Sequence, residues 1–349
     1  MTRQTWTALV SAVSFITLAI LLAVVPIPFV NWSPGGARDT LGEIDSKPII
    51  EISGIQTYPT TGQLDMTIVA STPVDSRLSL PQGLLYYWLP SRDSLPRDSV
   101  YPPGKSAEQL EAEDAEMMET AKDAAAVAAL QAADQKVTEM PVVFSITVGG
   151  PAHNKLQPGD LIVSIDAVPT RDNESVGREV KRHRVGDHVR LVVLRNKVET
   201  EVVVPTVEST TQPGVPIVGI TVNTGYRYQP EISFDLGRQI GGPSAGLVFA
   251  VAIYDKITEG ALLADLHVAG TGTITPNGDV GGIGAIQEKI AAAESDGATA
   301  FLVPRANCGD LAGIQTDMTL IRVENLREAI GALRDLQVPD RIGSIPRCP

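Results

Sequence analysis

Positive charge is in short supply in this chain. Its 28 Lys and Arg stand against 41 Asp and Glu, a net charge of −13 over 349 residues. No basic cluster is available to neutralise a run of phosphates, which excludes nucleic acid as a partner. Histidine and cysteine are scarcer still, at four and two. The histidines lack ligand spacing and Cys308 and Cys348 sit in no metal motif, so no metal site is expected. Nucleotide loops are missing too. "PPGKS" ends like a phosphate-binding loop, but the glycine required five residues before Gly104 is Ser99. "GTGTIT" and "GDVGGIG" lack the third glycine of a dinucleotide fingerprint. Neither ATP nor any other cofactor is expected.

Apolar residues, at 43 %, are plentiful enough for sizeable cores, and the length suits roughly two domains plus an appendage. The appendage is N-terminal. After Arg3 no charge occurs until Arg38, and Ala8 to Val30 is almost wholly apolar. At ~1.5 Å per residue, a helix of that length matches a hydrocarbon core of ~30 Å. Trp6 and Trp32 flank the run like interfacial anchors. The short tail with Arg3 is expected in the cytoplasm, with the bulk of the chain outside a cell membrane it crosses once. A cleaved signal peptide is the alternative, although "VPIPFVNW" shows no small-x-small site. An outside location favours a disulfide between Cys308 and Cys348 over two unpaired thiols.

The expected organisation is a tail and membrane helix over 1–32, then a β-rich linker region with a long acidic helix over 33–137. A compact β-rich unit over 138–207, an α+β unit over 208–336 and a tail over 337–349 follow. The long helix begins at a capping box, Ser106 with Gln109, and carries Leu110, Met117, Ala121, Ala124 and Ala128 on one face. It reads as a structural spacer or insertion.

In the β-rich unit, "GPAHNKLQPGDLIVSIDAVPT" resembles the PDZ domain in the form attached to bacterial envelope proteases. The resemblance implies strand addition, in which an extended peptide pairs with an exposed edge. That edge is expected at Val142 to Ile146, through Val142, Val143 and Phe144, facing a helix over 175–184 that offers Val176 and Val180. Pro141 stands where a carboxylate-binding loop belongs and has no N–H to donate, which shifts the expectation toward an internal segment. A PDZ fold that only packs against its neighbour is the alternative.

The chemistry centres on "IGGPSAGLVF", residues 240–249. Ser244 sits between a Gly-Gly-Pro turn and an apolar helical run, at or near a helix N-terminus. Free amides and the positive dipole end there suit an oxyanion, with Gly241, Gly242 and Ala245 the expected donors and open backbone. Serine is also a common plain N-cap, so this stretch alone leaves both roles open. Downstream, Lys289 lies among Ile286, Ile290 and Ala291 on an expected helix. A free lysine has a pKa near ~10.4, leaving under about a thousandth neutral at pH 7. Only burial, lowering it by ~3–5 units, makes it a base for serine. A triad through Asp265 and His267 is the rival, and the dyad is the reading preferred here.

"GGPSAG", "GTGTI" and "GGIGAIQEKI", in that order, resemble the proteolytic domain of Lon proteases over about Tyr228 to Leu336. The resemblance implies a Ser–Lys peptidase with Ser244 as nucleophile, Lys289 as general base and Thr271 orienting the lysine. Gly241 departs from it, since ATP-dependent members often carry an acidic residue there. A membrane span, a PDZ unit and a Lon-type domain in this order resemble the bacterial membrane-anchored PDZ–Lon proteins (YlbL-like). That implies an ATP-independent serine endopeptidase acting on protein or peptide substrates of the envelope, with assembly into a homo-oligomer left open. The alternative is a catalytically silent peptide-binding scaffold or sensor.

Overall fold

The N-terminal apolar run stops being helical where its prolines begin. In the computed structural model, which describes residues 2–237 and 240–348, helix α1 (Arg3–Val24) is exposed along its whole length and has a hydropathy of 2.4. It is apolar and long enough to cross a bilayer. Pro26 and Pro28 then force extended backbone, and Val30 is fully buried in the next strand. The expected boundary at residue 32 is therefore too late. Trp32 is not an anchor at the membrane end of the helix, because it pairs with Ser71 and Asp93 inside a sheet.

Along the chain after α1 come β1 (Phe29–Asp39), β2 (Gln63–Ser71), α2 (Leu80–Trp88), β3 (Asp93–Pro96) and α3 (Ala107–Ala132). The middle holds β4 (Thr138–Ile146), β5 (Leu161–Ile165), α4 (Asn173–Val180), β6 (His188–Arg195), β7 (Val198–Pro205) and β8 (Ile220–Arg227). The chain closes with α5 (Gly246–Ile257), β9 (His267–Gly270), α6 (Ile286–Asp296), β10 (Ala300–Pro304), β11 (Thr319–Val323) and α7 (Leu326–Leu336). Two compact units result, one from Met1–Asp134 with Pro230–Pro349 and the other from Gln135–Gln229.

The first unit is built on a sheet in the order β11-β10-β9-β2-β1-β3. Strands β11, β10, β9 and β2 run parallel, and β1 lies antiparallel between β2 and β3. This corrects the expectation of a separate linker region over 33–137 and of a proteolytic unit confined to 208–336. Strand β2 is central, with Leu64 and Met66 buried on it; such a strand needs partners on both sides, and they come from residues 29–39 and 267–270. The PDZ-type unit is thus inserted into the sequence of the other.

Helix α3 is part of that first unit and not a spacer. Its capping box forms as the sequence suggests. The buried stripe runs through Met118, Ala121, Ala124, Ala125 and Ala128, while Met117, expected on it, is exposed. Small side chains let α3 approach α5 closely. The Lys122 ammonium lies 5.6 Å over the Phe234 ring, itself 5.1 Å from Phe249 of α5. At the C-terminal end, Cys308 and Cys348 are joined in a disulfide across 40 residues, and Arg322 N–H donates to the Pro346 carbonyl at 2.9 Å. The tail is thereby held against β11.

The second unit is a sheet in the order β7-β6-β5-β4-β8, closed by α4 over a core of Val143, Ile162, Ile165, Val176, Val189 and Leu191. It extends to residue 229, beyond the expected 207, because β8 pairs antiparallel with β4 from Ile220 opposite Ile146 to Arg227 opposite Thr138.

Candidate active site

Helix α5 begins at Gly246, with Ser244 in the turn just before it and Ala245 as its N-cap. The turn is clamped from two sides. The Ser244 carbonyl accepts Gly272 N–H at 2.8 Å and the Thr271 hydroxyl at 3.0 Å, while Leu247 N–H donates to the Gly272 carbonyl at 3.0 Å. From the other side, Gly242 N–H donates to the Asp114 carbonyl of α3 at 3.0 Å. Gly242 adopts φ +86°, which an L side chain resists. Gly241 has no room for a side chain, since a Cβ there would lie 2.8 Å from Asp114 Cβ.

Lys289 lies one turn into α6. Its Nζ is 2.9 Å from Ser244 Oγ and 3.3 Å from the Thr67 carbonyl of β2. The residue is only 5 % exposed. Burial alone holds the amine down, from 10.5 to about 8. With the Thr67 carbonyl accepting one N–H, the lone pair of a neutral amine is free to face the serine hydroxyl. Glu288 beside it is also fully buried, and burial, reinforced by the Asp93 charge, holds its carboxyl above the usual range.

The expected residues divide accordingly. Ser244 and Lys289 are brought together. Thr271 is buried beside them, but its hydroxyl donates to the Ser244 carbonyl and makes no hydrogen bond to Lys289 among the described residues. The lysine is oriented by the Thr67 carbonyl instead. Gly242 is not an oxyanion donor here, since its N–H is already given to Asp114. The Ser244 and Ala245 amides make no hydrogen bond within the described residues, which leaves them available to an oxyanion.

The triad rival fails on position. Asp265 lies in a turn before β9, and His267 pairs with Asp65 at 2.6 Å instead. His267 is four residues back along β9 from Thr271, or ~13 Å at strand rise. Asp296 brings a third ligand atom within 4.8 Å of that pair. Asp65 already accepts from both His267 and Gln63, so the cluster reads as a hydrogen-bonded His–Asp pair on the buried side of β2 and β9.

The PDZ-type groove needs a larger correction. Strand β4 was expected to offer a free edge, but it is paired on one side with β5 and on the other with β8. Val142 faces Asn223 in that ladder, Val143 is fully buried, and Phe144 is exposed. Val176 and Val180 belong to the core with Val143. The edge is filled by the chain's own Ile220–Arg227.

With this geometry in view, the comparisons with known proteins are specific. Residues 239–334 match the Lon protease (S16) C-terminal proteolytic domain, and residues 120–206 match the PDZ domain. The chain is 37 % identical over 110 residues to Lon protease 2 of Syntrophobacter fumaroxidans, covering 30 % of this chain and 14 % of that protein. It is 37 % identical over 93 residues to the Lon protease of Roseiflexus castenholzii, covering 26 % and 11 %. The chain thus spans only a small part of the length of the curated relatives it matches. The PDZ domain of the SdrC-like protein from Listeria monocytogenes is similar at 24 % identity, covering 24 % of this chain and 86 % of that one, with a TM-score of 0.22. The chain combines a Lon-type proteolytic domain with a PDZ domain.

Proposed function

We propose that the protein is a membrane-anchored serine endopeptidase working through a Ser244–Lys289 dyad. One observation carries this reading: the buried Lys289 amine stands 2.9 Å from the Ser244 hydroxyl with its pKa lowered to about 8. Neutral Lys289 takes the hydroxyl proton as Oγ attacks a peptide carbonyl. The Ser244 and Ala245 amides hold the oxyanion, helped by the N-terminal dipole of α5. The Lys289 ammonium then gives its proton to the departing amine. Water, deprotonated by the same lysine, releases the acyl group and regenerates the serine.

Peptide hydrolysis runs downhill and these proton transfers stay within the dyad, so the step needs no nucleotide. Substrates are therefore flexible or unfolded segments of envelope or membrane proteins, since a folded core cannot extend its backbone to Ser244. Helix α1 spans the membrane with Arg3 on the cytoplasmic side, and the catalytic unit lies outside, where the Cys308–Cys348 disulfide persists. Peptides reach the PDZ-type unit only when β8 gives up its place beside β4. Incubating the full-length chain in detergent with casein tests the dyad. Ser244→Ala and Lys289→Gln should each lower cleavage by ~10³-fold or more. Cleavage undiminished in either variant would overturn the mechanism.

A further inference from the structure

The most apolar exposed surface outside α1 belongs to α2. Along "LPQGLLYYWLP", Leu84 is 43 % exposed, Leu85 56 %, Tyr87 71 %, Trp88 75 % and Leu89 36 %. Water is a poor neighbour for five large apolar or aromatic side chains in six consecutive positions. The only buried residue of the helix is Gly83, where a Cβ would lie 2.4 Å from Ile27 Cδ1. Ile27 in turn pairs with Leu78, and Pro26 with Ser79. Helix α2 is therefore packed, through Gly83, against the two residues that leave α1.

Charge follows the same division. The chain is strongly acidic, yet no charged residue occurs between Arg77 and Arg92. Those arginines bracket the helix, and the Arg92 guanidinium lies 5.1 Å over the Tyr86 ring. Tyrosine and tryptophan favour the headgroup level, with the ring in the acyl boundary and the polar tip in water. Arginines at either end suit anionic headgroups.

We propose that α2 is an interfacial membrane helix, with Leu84, Leu85, Tyr87, Trp88 and Leu89 immersed in the leaflet from which α1 emerges. The occupant of this surface is lipid because the surface continues directly from α1, which is exposed along its length and apolar and long enough to cross a bilayer. The proposal rests on the reading of α1 as a span. One helix through a membrane is a swivel. A second attachment, on a segment that leads straight into β3 of the catalytic sheet, fixes the tilt of the proteolytic unit against the bilayer. Trp88, and not Trp32, is then the tryptophan at the outer interface.

The test uses the full-length chain and its Trp88→Phe variant, reconstituted in vesicles of phosphatidylcholine and phosphatidylglycerol brominated near the headgroup end of the acyl chains. With Trp6→Phe introduced throughout so that no tryptophan of α1 contributes, the parent should show a component of tryptophan emission that bromolipid quenches and aqueous iodide does not, and Trp88→Phe should lack it. A Leu84→Glu, Leu85→Glu chain should expose that component to iodide while cleaving casein in detergent at the parental rate. A Trp88 component quenched by iodide and not by bromolipid would place α2 in water and overturn the proposal. Protection from both quenchers would mean a protein contact, a second copy included, and overturn it equally. Alkaline carbonate washing separates the two readings. A chain that stays in the membrane with Trp88 in water defeats this inference alone, whereas a chain washed off defeats the span and this inference together.

Discussion

The carbonyl of Asp114, in the acidic half of α3, accepts the Gly242 amide proton at 3.0 Å, two residues ahead of Ser244. A helix from a distant part of the chain therefore sets the position of the turn that carries Ser244. Its closeness leaves no space for a side chain at Gly241, where a Cβ would stand 2.8 Å from Asp114 Cβ. Gly241→Ala should lower kcat for casein roughly tenfold to a hundredfold, because ångström-scale displacement of a nucleophile costs that much. Adding Asp114→Gly removes the clashing Cβ but keeps the backbone hydrogen bond. The double variant should recover most of the lost rate. Equal rates for the single and double variants would show that the contact does not position Ser244.

The pH profile follows from the direction in which burial moves the lysine. The base must be neutral to act, so activity rises as pH passes through the folded-state pKa of about 8 and levels off above it. At pH 7 about a tenth of the molecules hold a neutral lysine, roughly two hundredfold more than an unburied lysine would provide. A plot of kcat/KM for a soluble fluorogenic peptide should show one ascending limb with a midpoint near pH 8. A limb that is flat between pH 7 and 9 would remove Lys289 as the general base.

The same burial sets a stability cost. The unfolded lysine titrates near 10.5 and the folded one near 8, so the unfolded state binds more protons between those values. Stability is therefore full above 10.5, falls as pH drops toward 8, and stays reduced below it. Lys289→Met removes the charge and keeps an unbranched apolar chain in the site. At pH 7 the variant should be inactive yet more stable, by up to ~3 kcal/mol, since each tenfold loss of proton affinity on folding costs ~1.4 kcal/mol. At pH 10.5 the gain should vanish. Urea unfolding at the two pH values measures both ends.

These contrasts show what local sequence carries. Ser244 and Lys289 were legible because their own neighbours encode their settings, a Gly-Gly-Pro turn before a helix and isoleucines around a lone amine. Thr67 and Asp114 were not, since each acts through its backbone carbonyl, which any residue possesses, and each arrives from far away in the chain. The insertion of the PDZ-type unit was hidden for a related reason. Alternation in "LDMTIVAS" marks a strand, but nothing local says that its partner lies some two hundred residues further on. The end of α1 could have been read from Pro26 and Pro28, and the apolar run misled by continuing through them to Val30, which is buried in protein.

Strand β8 offers the last prediction, because it stands where a peptide ligand was expected. It runs antiparallel to β4 over eight registered pairs, and it continues into the chain instead of ending in a carboxylate. Pro141, which cannot donate to a carboxylate, lies within this ladder opposite Thr224. A tethered strand competes at an effective concentration on the order of millimolar, so a free peptide copying residues 220–227 should bind the parent only weakly. Gly225 is the place to loosen the strand. A Cβ there would lie 2.6 Å from both Val142 Cβ and Leu161 Cδ2, so valine cannot be fitted without lifting β8 from β4. In the full-length Gly225→Val chain, the labelled peptide should bind at least ~10-fold more tightly by fluorescence anisotropy, since the competent fraction rises with release of β8. Casein cleavage by the same variant reports whether an emptied edge feeds the dyad: if it does, KM falls while kcat is kept. Equal peptide affinity in parent and variant, with the variant still folded by circular dichroism, would mean that β8 is a fixed strand of the domain and that the edge of β4 is permanently closed.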